Sequence, residues 1–179
     1  MRYKPSIRPS SSLPLEANSA HCTMQIHLIT VAKRPAPWVE QGFREFAKRL
    51  PEQCRLRTVR LPTGHRTGAN CQARLQREGE RMLAAIPAGA RVVALDVHGV
   101  PWSTEQLAEQ LAAWLRDGRD VALLVGGPDG LSAACRSDAS QVWSLSPLTL
   151  PHALVTVVLA EQIYRAWSIL NRHPYHRSG

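Results

Sequence analysis

The stretch that decides the fold is VALLVGGPDGL at 121–131, with QVWSLSPLTLPHALVTVVLAEQIYRAW at 141–167 soon after it. An apolar run without polar alternation, Val121–Val125, is the pattern of a strand buried on both faces. Gly126 and Gly127 then let the backbone turn sharply and admit a ligand without Cβ interference. Residues 146–151 form a second tight loop, and Pro151 is placed to open the following helix. Ligands of open α/β sheets gather beyond the carboxyl ends of the strands, so the two loops are expected to share one pocket.

Working outward, the chain alternates strand and helix from Met24. Residues 24–32, MQIHLITVA, read as a strand and 38–50 as a helix with Val39, Phe43, Phe46, Ala47 and Leu50 inward. Residues 54–61 alternate apolar side chains with arginines, which suits a more exposed strand. A loop containing GHRTG follows, and Asn70 is placed to cap a helix running to about residue 86. Strands are expected at 91–95 and 141–145, helices at 103–116, 132–137 and 153–170. Five strands alternating with helices define an α/β chain with a largely parallel, doubly covered sheet. Residues 1–23, rich in Ser and Pro and without periodicity, read as an extraneous or disordered extension; 24–179 read as one domain.

With 179 residues, 44% of them hydrophobic and 20% charged, the chain is globular and long enough to bury a core. The longest apolar run, 153–160, falls short of the roughly 18 residues of a membrane span, so the reading is a soluble, cytoplasmic protein with no membrane partner. The formal net charge of +8 points to a polyanion. Its distribution sharpens this: Arg165, Arg172, His173, His176 and Arg177 crowd a C-terminus with no acidic residue after Glu161. Nucleic acid therefore stands ahead of plain scattered surface charge. Four cysteines without a CxxC pair argue against a disulfide framework or a metal site.

Each motif has a bland reading beside the functional one. GGPDG lacks the lysine and hydroxyl of a triphosphate loop and is not GxGxxG, so alone it is as readily a tight turn. Asp96 in LDVHG can bond a ribose or simply close a turn. LSPLTLPH offers hydroxyls and backbone groups but few charges, which suits a neutral purine edge in an apolar pocket. HPYH at 173–176 is either a fraying basic end or an aromatic and basic RNA contact. Cys135 reads as a small buried hydrophobe.

Taken together, GGPDGLS, SLSPLTLPHALV, EQIYRAWSI and NRHPYH resemble the RlmH family, and the likeness extends from Met24 to Arg177. These are bacterial ribosomal RNA methyltransferases of the SPOUT class. The resemblance implies a SPOUT-type sheet whose C-terminal half forms a deep trefoil knot, which strand patterns alone would not suggest. It implies S-adenosylmethionine (SAM) as cofactor, bound by Leu95, Gly126, Gly127, Leu145, Ser146, Pro147, Leu148, Thr149 and Leu150, with no metal. It implies methylation at N3 of a pseudouridine in large-subunit (23S) ribosomal RNA on the assembled ribosome. It also implies a homodimer, in which the last helix joins the interface and the partner's tail completes the site. His152, Tyr175, His176 and Arg177 are the candidates for aiding removal of the N3 proton. The alternatives are a non-enzymatic ribosome-binding module, which leaves the two shaped loops unexplained, and a SPOUT methyltransferase acting on tRNA or a ribose hydroxyl.

Overall fold

The computed structural model describes residues 23–63 and 71–177. The expected N-terminal extension up to residue 22, the GHRTG loop with Asn70, and the side chains of His176 and Arg177 lie outside the described residues. Strands β1 (Met24–Val31), β2 (Cys54–Leu61), β3 (Arg91–Pro101), β4 (Val121–Val125) and β5 (Gln141–Ser144) alternate with helices α1 (Pro37–Ala47), α2 (Cys71–Ala84), α3 (Thr104–Asp117), α4 (Ala133–Asp138) and α5 (His152–Leu170). All neighbouring strands are parallel, in the order β2-β1-β4-β3-β5. The arginine-alternating β2 takes one edge, as its half-exposed pattern requires.

The fully apolar β4 sits at the centre because both its faces are covered. Leu123 joins Leu28, Phe43, Leu111, Trp114 and Leu159 in one core. The next residue, Leu124, joins Ile29, Met82, Leu131 and Cys135 in the core on the opposite face. Helix α3 begins where its STEQ sequence demands: the Ser103 hydroxyl accepts from Gln106 N at 3.2 Å, while the Gln106 side chain accepts from Ser103 N at 2.8 Å.

Two sequence expectations change. The strand expected to stop at Leu95 continues to Pro101 through a bulge, because Leu95 and Val100 both register with Trp143 of β5. Gly99 makes this possible: a Cβ there would lie 2.7 Å from the Trp143 carbonyl carbon and the Val142 oxygen. The bulge lifts Asp96 and Val97 onto the rim of the carboxyl ends. The second change concerns α5, whose 19 residues are long and apolar enough to cross a membrane by length and composition. Here it serves as a core helix instead: Leu159, Ala160, Ile163 and Ala166 are buried, and α1 and α3 pack along it. After α5 the chain turns at Arg172, in a left-handed conformation, into a short 3₁₀ turn, Pro174–Arg177, laid against the helix.

Candidate active site

The two loops meet as their positions predict. A cavity of about 300 Å³ lies beyond β3, β4 and β5, lined by Leu95, Gly126, Gly127, Leu145, Ser146, Leu148, Thr149 and Leu150. Pro147, expected with them, does not line it and is exposed on the loop. The turn Gly127–Gly130 is closed by Gly130 N donating to Gly127 O at 2.9 Å. On the other loop, Leu148 N donates to the Ser146 hydroxyl at 2.9 Å, which fixes a sharp bend. Apolar walls from Leu95, Leu145 and Leu150, with main-chain polar groups between them, suit a mostly neutral ligand with a few hydrogen-bonding edges.

The glycines divide the work unequally. A Cβ on Gly126 would lie 2.3 Å from the Gly130 carbonyl, a backbone clash that nothing can relieve cheaply. A Cβ on Gly127 would meet Glu78 and Val31 at 3.5 Å and beyond, an ordinary contact. Sequence alone treats the pair as equivalent.

Asp96 sits at the rim, where its carboxylate accepts from His98 N at 3.0 Å and faces Arg136 at 3.4 Å. The turn-closing role is thus real, and Asp96 also lines the cavity. Cys135 is buried, with its N–H donating to Ser132 Oγ and its thiol directed to the Gly79 carbonyl, so it packs structurally. Burial likewise pushes the Cys54 thiol up to about 12, far from reactive thiolate chemistry.

His152, at the first turn of α5, lies between this cavity and a second, larger one. Its Nε2 is 2.7 Å from the hydroxyl of Thr30, a polar residue buried at the end of β1. Burial holds the imidazole below its ordinary pKa, partly countered by a hydrogen bond to the Gly126 backbone. The ring therefore ties β1, the glycine loop and α5 together in its neutral form. Thr30 lies beside the candidate site and sequence reading missed it; its signal is one polar residue inside the apolar run LITV.

A pH dependence follows. The folded-state pKa lies below the unfolded value, so the unfolded chain binds the proton more readily. The stabilisation is present above about pH 6.5 and is lost as pH falls through the folded-state value. The melting temperature is expected to drop more steeply between pH 7 and pH 5 in the parent than in His152→Gln. Parallel curves in scanning calorimetry would contradict the assignment of a neutral, tied imidazole.

Tyr175 is not at the cavity. Its hydroxyl donates to Glu161 Oε1 at 3.1 Å, and its ring packs on Tyr164 and under the Arg165 guanidinium, 4.9 Å from the ring centre. Glu161 is nine residues beyond His152, roughly 13 Å along the helix. Within one chain Tyr175 therefore lies far from the glycine loop.

A family model described as "Predicted SPOUT methyltransferase" matches residues 24–176. The chain belongs to the SPOUT methyltransferase family. Among curated proteins it is 56% identical over 156 residues to the ribosomal RNA large subunit methyltransferase H of Methylococcus capsulatus, covering 86% of this chain and all of that protein. In fold it is similar to a putative methylase family protein from Neisseria gonorrhoeae, with a TM-score of 0.50 at 14% identity, over 87% of this chain and 86% of that one.

Proposed function

We propose that this protein is a SAM-dependent methyltransferase of large-subunit ribosomal RNA that methylates N3 of a pseudouridine on the assembled ribosome. The observation that carries the reading is the pairing of the two shaped loops around one cavity in a chain 56% identical to a large-subunit ribosomal RNA methyltransferase. The residues fit the cofactor. Leu95, Leu145 and Leu150 offer apolar walls to a purine, the loop amides and carbonyls offer its edge hydrogen bonds, and Asp96 gives an anionic rim to a cationic sulfonium. SAM brings an already activated methyl group, so the protein's task is to position the acceptor and help a proton leave.

The N3–H of pseudouridine is a weak imide acid. His152 is held by Thr30 and the Gly126 backbone, which suits orienting the site better than carrying charge. Tyr175, His176 and Arg177 remain the candidates to stabilise the developing anion, supplied by the tail of a second copy. A homodimer is supported by unburied apolar side chains on neighbouring helices: Trp38 of α1 is 53% exposed and Leu154 of α5 is 39% exposed. The finer fold reading is a deep trefoil knot in the C-terminal half of the chain. In its favour, the chain leaves β5 at the sheet edge, lines the ends of β3 and β4, and joins β1 through His152.

The test is transfer of radiolabel from SAM to ribosomes lacking the modification, with free ribosomal RNA and tRNA in parallel. Label in ribosomes supports the proposal. A protein that binds ribosomes without transferring label is the non-enzymatic module instead.

A further inference from the structure

Within the GGPDG turn, Gly126, Gly127, Pro128 and Gly130 line the two-loop cavity, but Asp129 at the apex does not. Its carboxylate turns the other way and pairs with Arg74 of α2, 55 residues earlier in the chain. The Arg74 side chain is 19% exposed and that of Asp129 32%, so the pair is largely shielded from solvent. Two further contacts continue along the same helix. Glu78, one turn beyond Arg74 and buried, brings Oε2 to 3.5 Å from where a Gly127 Cβ would lie. Gly79 lies so close to Ser132, the cap of α4, that a Cβ on it would stand 2.7 Å from Ser132 Cβ. The core packing of α2 is made further on, by Met82 and Leu83. Its stretch from Arg74 to Gly79 faces GGPDGLS instead.

We propose that Arg74 is a positioning residue for the cofactor: its grip on Asp129 holds the GGPDG turn in the closed form that binds SAM. The inference rests on the methyltransferase reading and adds a residue, outside both loop motifs, that sets the affinity of the site. The turn is closed between two glycines, Gly130 N donating to Gly127 O, and Gly130 is in a left-handed conformation. Glycines leave the widest backbone freedom, so a tether on the apex removes motion that the turn alone does not. A loop ordered before its ligand arrives binds more tightly, because less freedom is lost on binding. The gain cannot exceed the free energy by which the tether favours the closed form. One shielded ion pair therefore sets the scale, at about 5-fold in affinity.

A double-mutant cycle on Arg74→Met and Asp129→Ala tests this, read by calorimetry with SAM and by steady-state methyl transfer to unmethylated ribosomes. Arg74→Met keeps the apolar stem and loses every donor, and Asp129→Ala removes the acceptor. Arg74→Met is expected to weaken SAM binding about 5-fold and to raise the KM for SAM to match. The kcat at saturating SAM, the KM for ribosomes and the melting temperature should stay at parent values. With Asp129→Ala already present, Arg74→Met should add less than about 2-fold, because its partner is gone. Parent-like SAM affinity in Arg74→Met would overturn the inference, as would fully additive losses in the double variant. A loss of affinity that tracks a fall in melting temperature would overturn the positioning role in favour of a structural one. A raised KM for ribosomes with SAM binding unchanged would also overturn it, placing Arg74 on the RNA. Absence of SAM binding by the parent protein would instead overturn the methyltransferase reading.

Discussion

Gly126→Ala is expected to weaken SAM binding by about 100-fold or more in calorimetry, with Gly127→Ala within about 3-fold of the parent. The difference comes from what a side chain meets. At Gly126 a Cβ would lie 2.3 Å from the Gly130 carbonyl, so the GGPDG turn must open and its main-chain groups leave the cavity. Overpacking of this kind costs on the order of 1–3 kcal/mol even when relaxation is available, and a closed turn offers little. At Gly127 the same Cβ makes only van der Waals contact with Glu78 and Val31. Circular dichroism separates loss of the site from loss of the fold. Equal effects at both positions would mean that the turn does not shape the two-loop cavity.

Removal of residues 172–179 is expected to lower methyl transfer to unmethylated ribosomes by at least about 100-fold, the usual scale for positioned proton-transfer groups. SAM binding should remain near normal, because the tail leaves both loops untouched. A mixing experiment reports whether the tail acts across protomers. Tail-deleted protein retains a cofactor site and Gly126→Ala protein retains a tail, so a mixed dimer joins one of each. Recovered activity on mixing is the expected result. Full turnover by the truncated protein alone would move the proton-transfer groups elsewhere, and His152 would become the first residue to replace.

The sheet and its helices were legible because apolar patterning is local. Val121–Val125 announces a doubly covered strand wherever it sits, and the STEQ start of α3 carries its own cap. The bulge in β3 was not legible, since the need for Gly99 arises from the β5 backbone passing beneath it. Strand order was hidden for a related reason: parallel neighbours are joined by crossovers, and nothing in the apolar runs says which strand lies beside which. Most of the two-loop cavity could be read from its motifs, Pro147 being the exception. The larger cavity beside His152 could not, because Thr30, Arg60, Arg74, Glu78 and His152 share no motif and meet only through the fold. The unequal roles of Gly126 and Gly127 were also invisible, as both are simply glycine until the loop closes on itself.

The most direct test of the central claim is mass mapping of modified nucleosides in ribosomal RNA after deletion of the gene and after its restoration. The account predicts that one N3-methylated pseudouridine in the large-subunit RNA disappears on deletion and returns with the parent gene, but not with the Gly126→Ala form. An unchanged ribosomal RNA profile, or a methyl group lost from tRNA or from a ribose hydroxyl instead, would contradict it.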